Sequence, residues 1–282
     1  MRTVSRGRLT FDVVEHGPAD GDPVLLLHGF PQRASSWDGV AARLAERGYR
    51  TVAPDQRGYS PGARPTRRRD YVADQLVADA LAVIDEVAGP TGRVHVVGHD
   101  WGAVVAWLLG ARHPDRVRSL TAVSVPPPDA FLRSLLGRQA IKSWYMLFFQ
   151  LPWLPERLLG AGDRPFSPRV VELLARSGQS REAARRDAVA LAEPGALAGG
   201  INWYRAIPLR APKRETTVSV PSLFVWSDRD TAVGRTAVQR VDRYVAGPYR
   251  FVELAGVSHW IPDEEPETLA GLIAEHATAH PG

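Results

Sequence analysis

Along the first 125 residues, short apolar runs alternate with longer stretches in which apolar positions recur every three or four residues. Residues Leu9–His16 partly alternate and predict a half-exposed strand at a sheet edge, whereas Pro23–Leu27 is a continuous apolar run and predicts a buried strand. Tyr49–Asp55 predicts a third strand. Val72, Leu76, Val77, Ala80, Leu81 and Ile84 share one helical face within 70–88, and Gly89-Pro90 ends it. Arg93–Gly98 reads as a strand running into a helix over 101–113, and Val117–Val125 is the next strand. This alternation predicts an α/β fold with a mostly parallel, doubly wound sheet.

At Pro126-Pro-Pro128 the rhythm breaks. Residues 129–212 read as helical and aromatic-rich, including Ser143–Trp153 and Asn202–Arg205. Alternation resumes with a strand at Val220–Trp226, a helix over 235–245, a strand at Tyr249–Leu254 and a last helix from about 264. The pattern predicts one sheet domain, residues 1–128 and 213–282, interrupted by a helical cap at 129–212 that lies over its active end.

The chemistry concentrates where the central strand turns, at Gly98-His-Asp-Trp-Gly102. Small-x-nucleophile-x-small between a strand and a helix is the nucleophile-elbow pattern, in which a strained turn exposes a reactive side chain. Serine is the usual occupant; here it is Asp100. A carboxylate needs no base to activate it and can form an ester by displacing a leaving group from an alkyl carbon. Aspartate is also a common helix N-cap, so the elbow needs support from the rest of the chain. A nucleotide-binding turn is disfavoured, because both glycine-rich phosphate motifs are missing and a carboxylate at the helix start repels phosphate.

An ester on Asp100 must be hydrolysed, which requires a base, a group that orients the base, and donors for an oxyanion. His259, in Ser258-His-Trp260 after the last predicted strand, is placed as the base. His16, His113, His276 and His280 are expected at the surface, His95 inside a strand and His99 in support of the elbow. Asp230 is the preferred acid, with Asp228 and Asp129 as alternatives. The oxyanion donors are expected to be the backbone N–H groups of Trp101 and of Phe30, in His28-Gly-Phe-Pro31. Asp55 and Arg57, also in a loop after a strand, are expected to be structural.

Composition narrows the class. With 44% hydrophobic and 23% charged residues the chain is an ordinary globular one, and with no cysteine it excludes disulfides, thiolate catalysis and Cys-ligated metals. Neither a signal peptide nor a membrane span is legible, so a cytoplasmic protein without membrane contact is expected. The net charge of +4 comes from arginines spread along the chain, Arg67–Arg69 being the only cluster; nucleic-acid binding is not expected.

Taken together, His28-Gly-Phe-Pro31, Gly98-His-Asp-Trp-Gly102, Asp230 and Ser258-His-Trp260 resemble the α/β-hydrolase superfamily and, within it, the epoxide hydrolases. The resemblance spans nearly the whole chain, with one departure: Gln32 stands where members often have an acidic residue. It implies two cap tyrosines that donate to an epoxide oxygen, Tyr204 in Asn202-Trp-Tyr-Arg205 and Tyr145 five residues before Gln150. The chemistry agrees, since a phenol with a pKa of about 10 remains a proton donor at neutral pH. The expected activity is cofactor-independent opening of a small, mainly apolar epoxide by water, with no metal. Trp144, Phe148, Phe149, Trp153 and Trp203 are expected to wall the substrate site or pack beside it. A haloalkane dehalogenase shares the elbow but needs N–H donors for halide rather than phenols, and a non-catalytic hydrolase-fold binding protein would not need a complete triad. Self-association into a homo-oligomer is compatible with the sequence.

Overall fold

A computed structural model describes residues 2–137, 139–162, 164–209 and 217–281. Eight strands form one sheet: β1 (Arg2–Arg6), β2 (Leu9–His16), β3 (Asp22–Leu27), β4 (Tyr49–Pro54), β5 (Val94–His99), β6 (Val117–Val123), β7 (Ser222–Ser227) and β8 (Tyr249–Leu254). Their order is β1-β2-β4-β3-β5-β6-β7-β8. The β1–β2 and β2–β4 pairs are antiparallel and all the others parallel. The edge next to β2 is therefore taken by β1, which the apolar pattern does not announce.

The helices of the sheet layers are α1 (Asp38–Glu46), α2 (Ala73–Ala88) and α3 (Trp101–Arg112). The insertion supplies α4 (Pro128–Ser134), α5 (Gln139–Lys142), α6 (Trp144–Gln150), α7 (Leu154–Leu159), α8 (Pro168–Arg176), α9 (Arg181–Leu191) and α10 (Ala196–Ala206). After β7 come α11 (Arg235–Val238), α12 (Ile261–Glu264) and α13 (Pro266–Ala279). The expected helix over 235–245 is thus two short pieces, α11 and a 3-10 turn at Val241–Tyr244.

Strand alternation divides the core in two. Leu25, Leu27, Val94, Val96, Leu120 and Phe224 face the layer of α2 and α3, while Val24, Leu26, Val97, Val123 and Val225 face α1 and α13. Both faces are covered, so the central strands read as unbroken apolar runs. His276 belongs to the second layer: it lies on the buried face of α13 with Leu269, Ala270, Ile273 and Ala277, and its Nε2 meets the Pro221 carbonyl at 3.3 Å. That corrects its expected exposure; periodicity puts it on the inner stripe. His16, His113 and His280 are half-buried.

Among the described residues between β6 and β7, all regular elements up to Leu209 are helical, and Val218 then forms an isolated parallel bridge with Val245. The expected boundary at 212/213 lies outside the described residues. The insertion is fastened to the sheet layer by polar contacts: Arg186 of α9 pairs with Asp263 of α12 at 2.9 Å, and the Trp203 indole donates to the Arg57 carbonyl at 2.8 Å. Arg57 itself is buried and pairs with Asp79 at 2.6 Å, and Asp55 accepts from the Ala34 N–H at 2.8 Å. Both hold loops, as expected of structural residues. Among the described residues no helix is long and apolar enough to cross a membrane.

Candidate active site

Four loops at the carboxyl edge of the parallel sheet converge, which is where open α/β sheets place their sites. The first follows β5. Asp100 sits between strand and helix with φ 52°, in the left-handed region that non-glycine residues rarely adopt. Asp100 does occupy the N-cap position of α3, but its side chain makes no capping hydrogen bond there, so capping does not account for the carboxylate. The turn is possible because its flanks are bare: a Cβ on Gly102 would lie 2.0 Å from the Leu27 carbonyl oxygen.

The loop after β3 brings the second group. The Phe30 N–H donates to Asp100 Oδ1 at 2.8 Å. Buried His28 holds that loop: its Nε2 accepts from the Gln56 N–H at 3.0 Å, which leaves Nδ1–H to donate to the Gly29 carbonyl at 3.0 Å. The sequence marks His28 only as the first residue of His28-Gly-Phe-Pro31 and gives its side chain no role. Burial keeps it neutral by lowering its pKa to about 4.

The loops after β8 and β7 supply the imidazole and its partner. His259 Nε2 lies 3.6 Å from Asp100 Oδ2, and Nδ1 lies 2.8 Å from Asp230 Oδ2. The other Asp230 oxygen accepts from the N–H groups of Ala232 and Val233, at 2.7 and 2.8 Å. Of the three candidate acids only Asp230 meets His259: Asp228 accepts from the Gly256 N–H, and Asp129 lies in the first turn of α4. Behind the ring, the His259 carbonyl contacts His99 Nε2 at 2.9 Å and accepts from Ser124 Oγ at 3.0 Å, while His99 Nδ1 contacts Gln32 Oε1 at 3.0 Å. Gln32 Nε2, at this departure from the family pattern, in turn donates to Asp263 at 2.8 Å.

Burial opposes charge on both members of the Asp100–His259 pair, and their mutual attraction overcomes it. Asp100 is held below its ordinary value by His259, His99 and the Trp101 N–H; His259 is pushed up to about 10 by Asp230 and Asp100. The resting site is a carboxylate beside an imidazolium. His99, with no such partner, is lowered to about 4 by burial.

A cavity of about 590 Å³ opens over Asp100 and Trp101. Tyr145 of α6 and Tyr204 of α10 line it from the insertion side, with ring centroids 5.8 Å apart. Burial, then the negative charge of Asp100 acting on both, raises the two phenols above their usual value and keeps them protonated. Trp203 also lines the cavity. The other four residues expected to wall the site or pack beside it do not line the cavity, though Phe149 packs on both tyrosines, with ring centroids 5.9 and 4.9 Å away. Trp144 and Trp153 are each 64% exposed, Phe149 is buried behind the tyrosines, and Phe148 packs on Trp144 and Phe149. Helix α6 turns Tyr145 and Phe149 inward, which necessarily turns Trp144 and Leu147 outward. The floor residues Val104 and Leu108 were not singled out from sequence, although their spacing from Trp101 marks one face of α3. No cluster of three or more metal-ligating side chains occurs among the described residues.

The model of the alpha/beta hydrolase fold family matches residues 22–266. Epoxide hydrolase A of Mycobacterium tuberculosis is 33% identical, over 98% of this chain and 97% of its own length. The chain belongs to the epoxide hydrolase family of α/β hydrolases. Another relative of this hydrolase is the AB hydrolase superfamily protein YfhM of Bacillus subtilis, 34% identical over 97% of this chain and 96% of that one. Among solved structures, epoxide hydrolase VrEH1 from Vigna radiata aligns with a TM-score of 0.82 and 30% identity, covering 99% of the hydrolase and 97% of that chain.

Proposed function

We propose that this enzyme hydrolyses epoxides to vicinal diols through an ester on Asp100. One observation carries the reading: two protonated phenols, Tyr145 and Tyr204, share an apolar cavity with a carboxylate whose Oδ1 is already held by the Phe30 N–H. Oδ2 is the nucleophile. It bonds to an epoxide carbon, the ring C–O bond breaks, and a tyrosine proton passes to the departing oxygen. Esterification removes the Asp100 charge, so the pKa of His259 falls and its proton restores the phenol. Neutral His259, oriented by Asp230, then takes a proton from water as the hydroxide adds to the ester carbonyl carbon. The oxyanion forms on Oδ1, beside the N–H groups of Phe30 and Trp101. Collapse breaks the bond between the carbonyl carbon and the alkyl oxygen, the departing alkoxide takes the proton of the newly added hydroxyl, and the diol leaves a carboxylate beside the imidazolium. The helical insertion serves as the cap that keeps bulk water from the ester.

The test is the intact mass of His259→Gln after incubation with matched aryl and alkyl epoxides and halides. The expected result is a mass gain equal to a whole epoxide, absent from an Asp100→Asn control. A gain of an alkyl group alone, with halide released, identifies a dehalogenase instead. No adduct, together with no turnover of the panel by the unsubstituted protein, points to a binding protein.

A further inference from the structure

We infer that the enzyme takes terminal epoxides bearing one long apolar substituent, laid along α3 and away from the Phe30 loop; this rests on the epoxide reading above. The cavity is one-sided about Asp100. On the open side its floor is Trp101, Val104 and Leu108, successive positions on one face of α3. Seven residues separate Trp101 from Leu108, a length of about 10 Å at 1.5 Å per residue, which an alkyl chain of roughly eight carbons spans. Leu76 of α2, Met146 of α6, Val125, Val233 and, from α4, Phe131 and Leu132 are among the walls, and Leu132 is 41% exposed, so the cavity reaches the surface at α4.

The other side is closed. The Phe30 ring packs edge-on against Phe149 and Tyr204, with centroids at 5.5 and 5.4 Å. It lies so close to α10 that a Cβ on Gly200 would stand 3.0 Å from the ring, and a Cβ on Gly29 would fall 2.3 Å from that of Asp100. No residue of the loop 28–33 lines the cavity. An epoxide seated on Asp100 therefore has room for a substituent on one carbon, while its other carbon faces packed rings. Val104 and Leu108 offer no hydrogen bond to a tail lying along α3; besides Asp100 and the two cap tyrosines, the hydroxyl and acidic groups of the lining are Tyr71, which donates to the Pro65 carbonyl at 2.7 Å, and Asp129 at the α4 end.

The experiment measures kcat/KM of the purified chain for 1,2-epoxyalkanes of increasing length and for 2,3-epoxides of equal carbon number. The expected profile rises by about fourfold per methylene, the ordinary worth of burying one CH2, and levels once the tail reaches roughly eight carbons. Internal epoxides with bulk on both carbons should be at least tenfold slower than their terminal isomers. Leu108→Trp should bring the plateau forward by three or four carbons, lowering the long-to-short ratio of kcat/KM at least tenfold. Leu132→Trp, at a half-exposed position where a larger ring fits without disturbing the core, should lower that ratio too. A flat length profile, equal rates for internal and terminal isomers, or an unchanged ratio in both variants overturns the inference while leaving epoxide hydrolysis standing. Hydrolysis of no epoxide at any length overturns the reading beneath it, and the inference with it.

Discussion

At the scale of single residues, the site is governed by who shares charge with whom. Both rings of the His259–His99 pair are equally buried, but His259 is in direct contact with the carboxylates of Asp230 and Asp100, which push it up to about 10. His99 touches neither and is lowered to about 4 by burial and by the charge of His259, against the pull of the more distant Asp100 and Asp230. Asp100→Asn deletes one of the two anions, as esterification would, so the His259 imidazole followed by NMR should titrate below its value in the unsubstituted enzyme. An unchanged titration would mean that Asp230 alone sets it. The sign for stability follows from the same shifts. His259 has a raised folded value, so its contribution is complete below its unfolded value near 6.5 and is lost as pH rises through about 10. Asp100 has a lowered folded value, so its contribution is complete above about 3.9 and is lost as pH falls through the folded value. Denaturant melts across pH should show the pair stabilising the fold between these limits.

At the scale of elements, the elbow and the two tyrosine helices divide the work. Gly102→Ala sets a methyl against the Leu27 carbonyl and must push α3 away from β3; we expect a loss of about 1–3 kcal/mol in denaturant melts, with activity falling alongside. Tyr145→Phe and Tyr204→Phe each remove a single oxygen from a well-packed ring. Each should leave the melting profile nearly intact yet slow ester formation, measured in single turnover, by roughly 10²-fold, with the double variant slower still. These two residues also show how far sequence reading reaches. Their motifs point to Tyr145 and Tyr204, and both line the cavity, whereas Trp144 and Trp153, expected to wall the site or pack beside it, lie at the surface. An eleven-residue stretch that is apolar on every side does not say which side is covered; α10, packed against α6, makes that choice.

At the scale of the whole molecule, a buried polar chain joins the insertion to the sheet layer. Gln32, Asp263, Arg186 and Asp187 link the loop after β3 to α9 by way of α12. Burial raises Asp187 to about 6 despite Arg186 beside it, so its proton is held more tightly folded than unfolded. Its contribution to stability is therefore full below about 3.9 and is lost as pH rises through about 6; Asp187→Asn should flatten the melting profile in that window. The sequence by itself determined the alternating sheet, the strand-turn-helix at Asp100, the order of Asp100, Asp230 and His259 along the chain and a helical stretch between two strands of the sheet, because these are written in local periodicity and in glycines whose places tolerate no side chain. Only the tertiary structure decided that Asp230 rather than Asp228 or Asp129 meets His259, that β1 takes the edge, that His276 is buried, and that the cavity opens along α3 while Phe30 closes its other side. Each of those is a contact between segments far apart in the chain, set by how whole layers pack and not by the spacing of residues within any one of them.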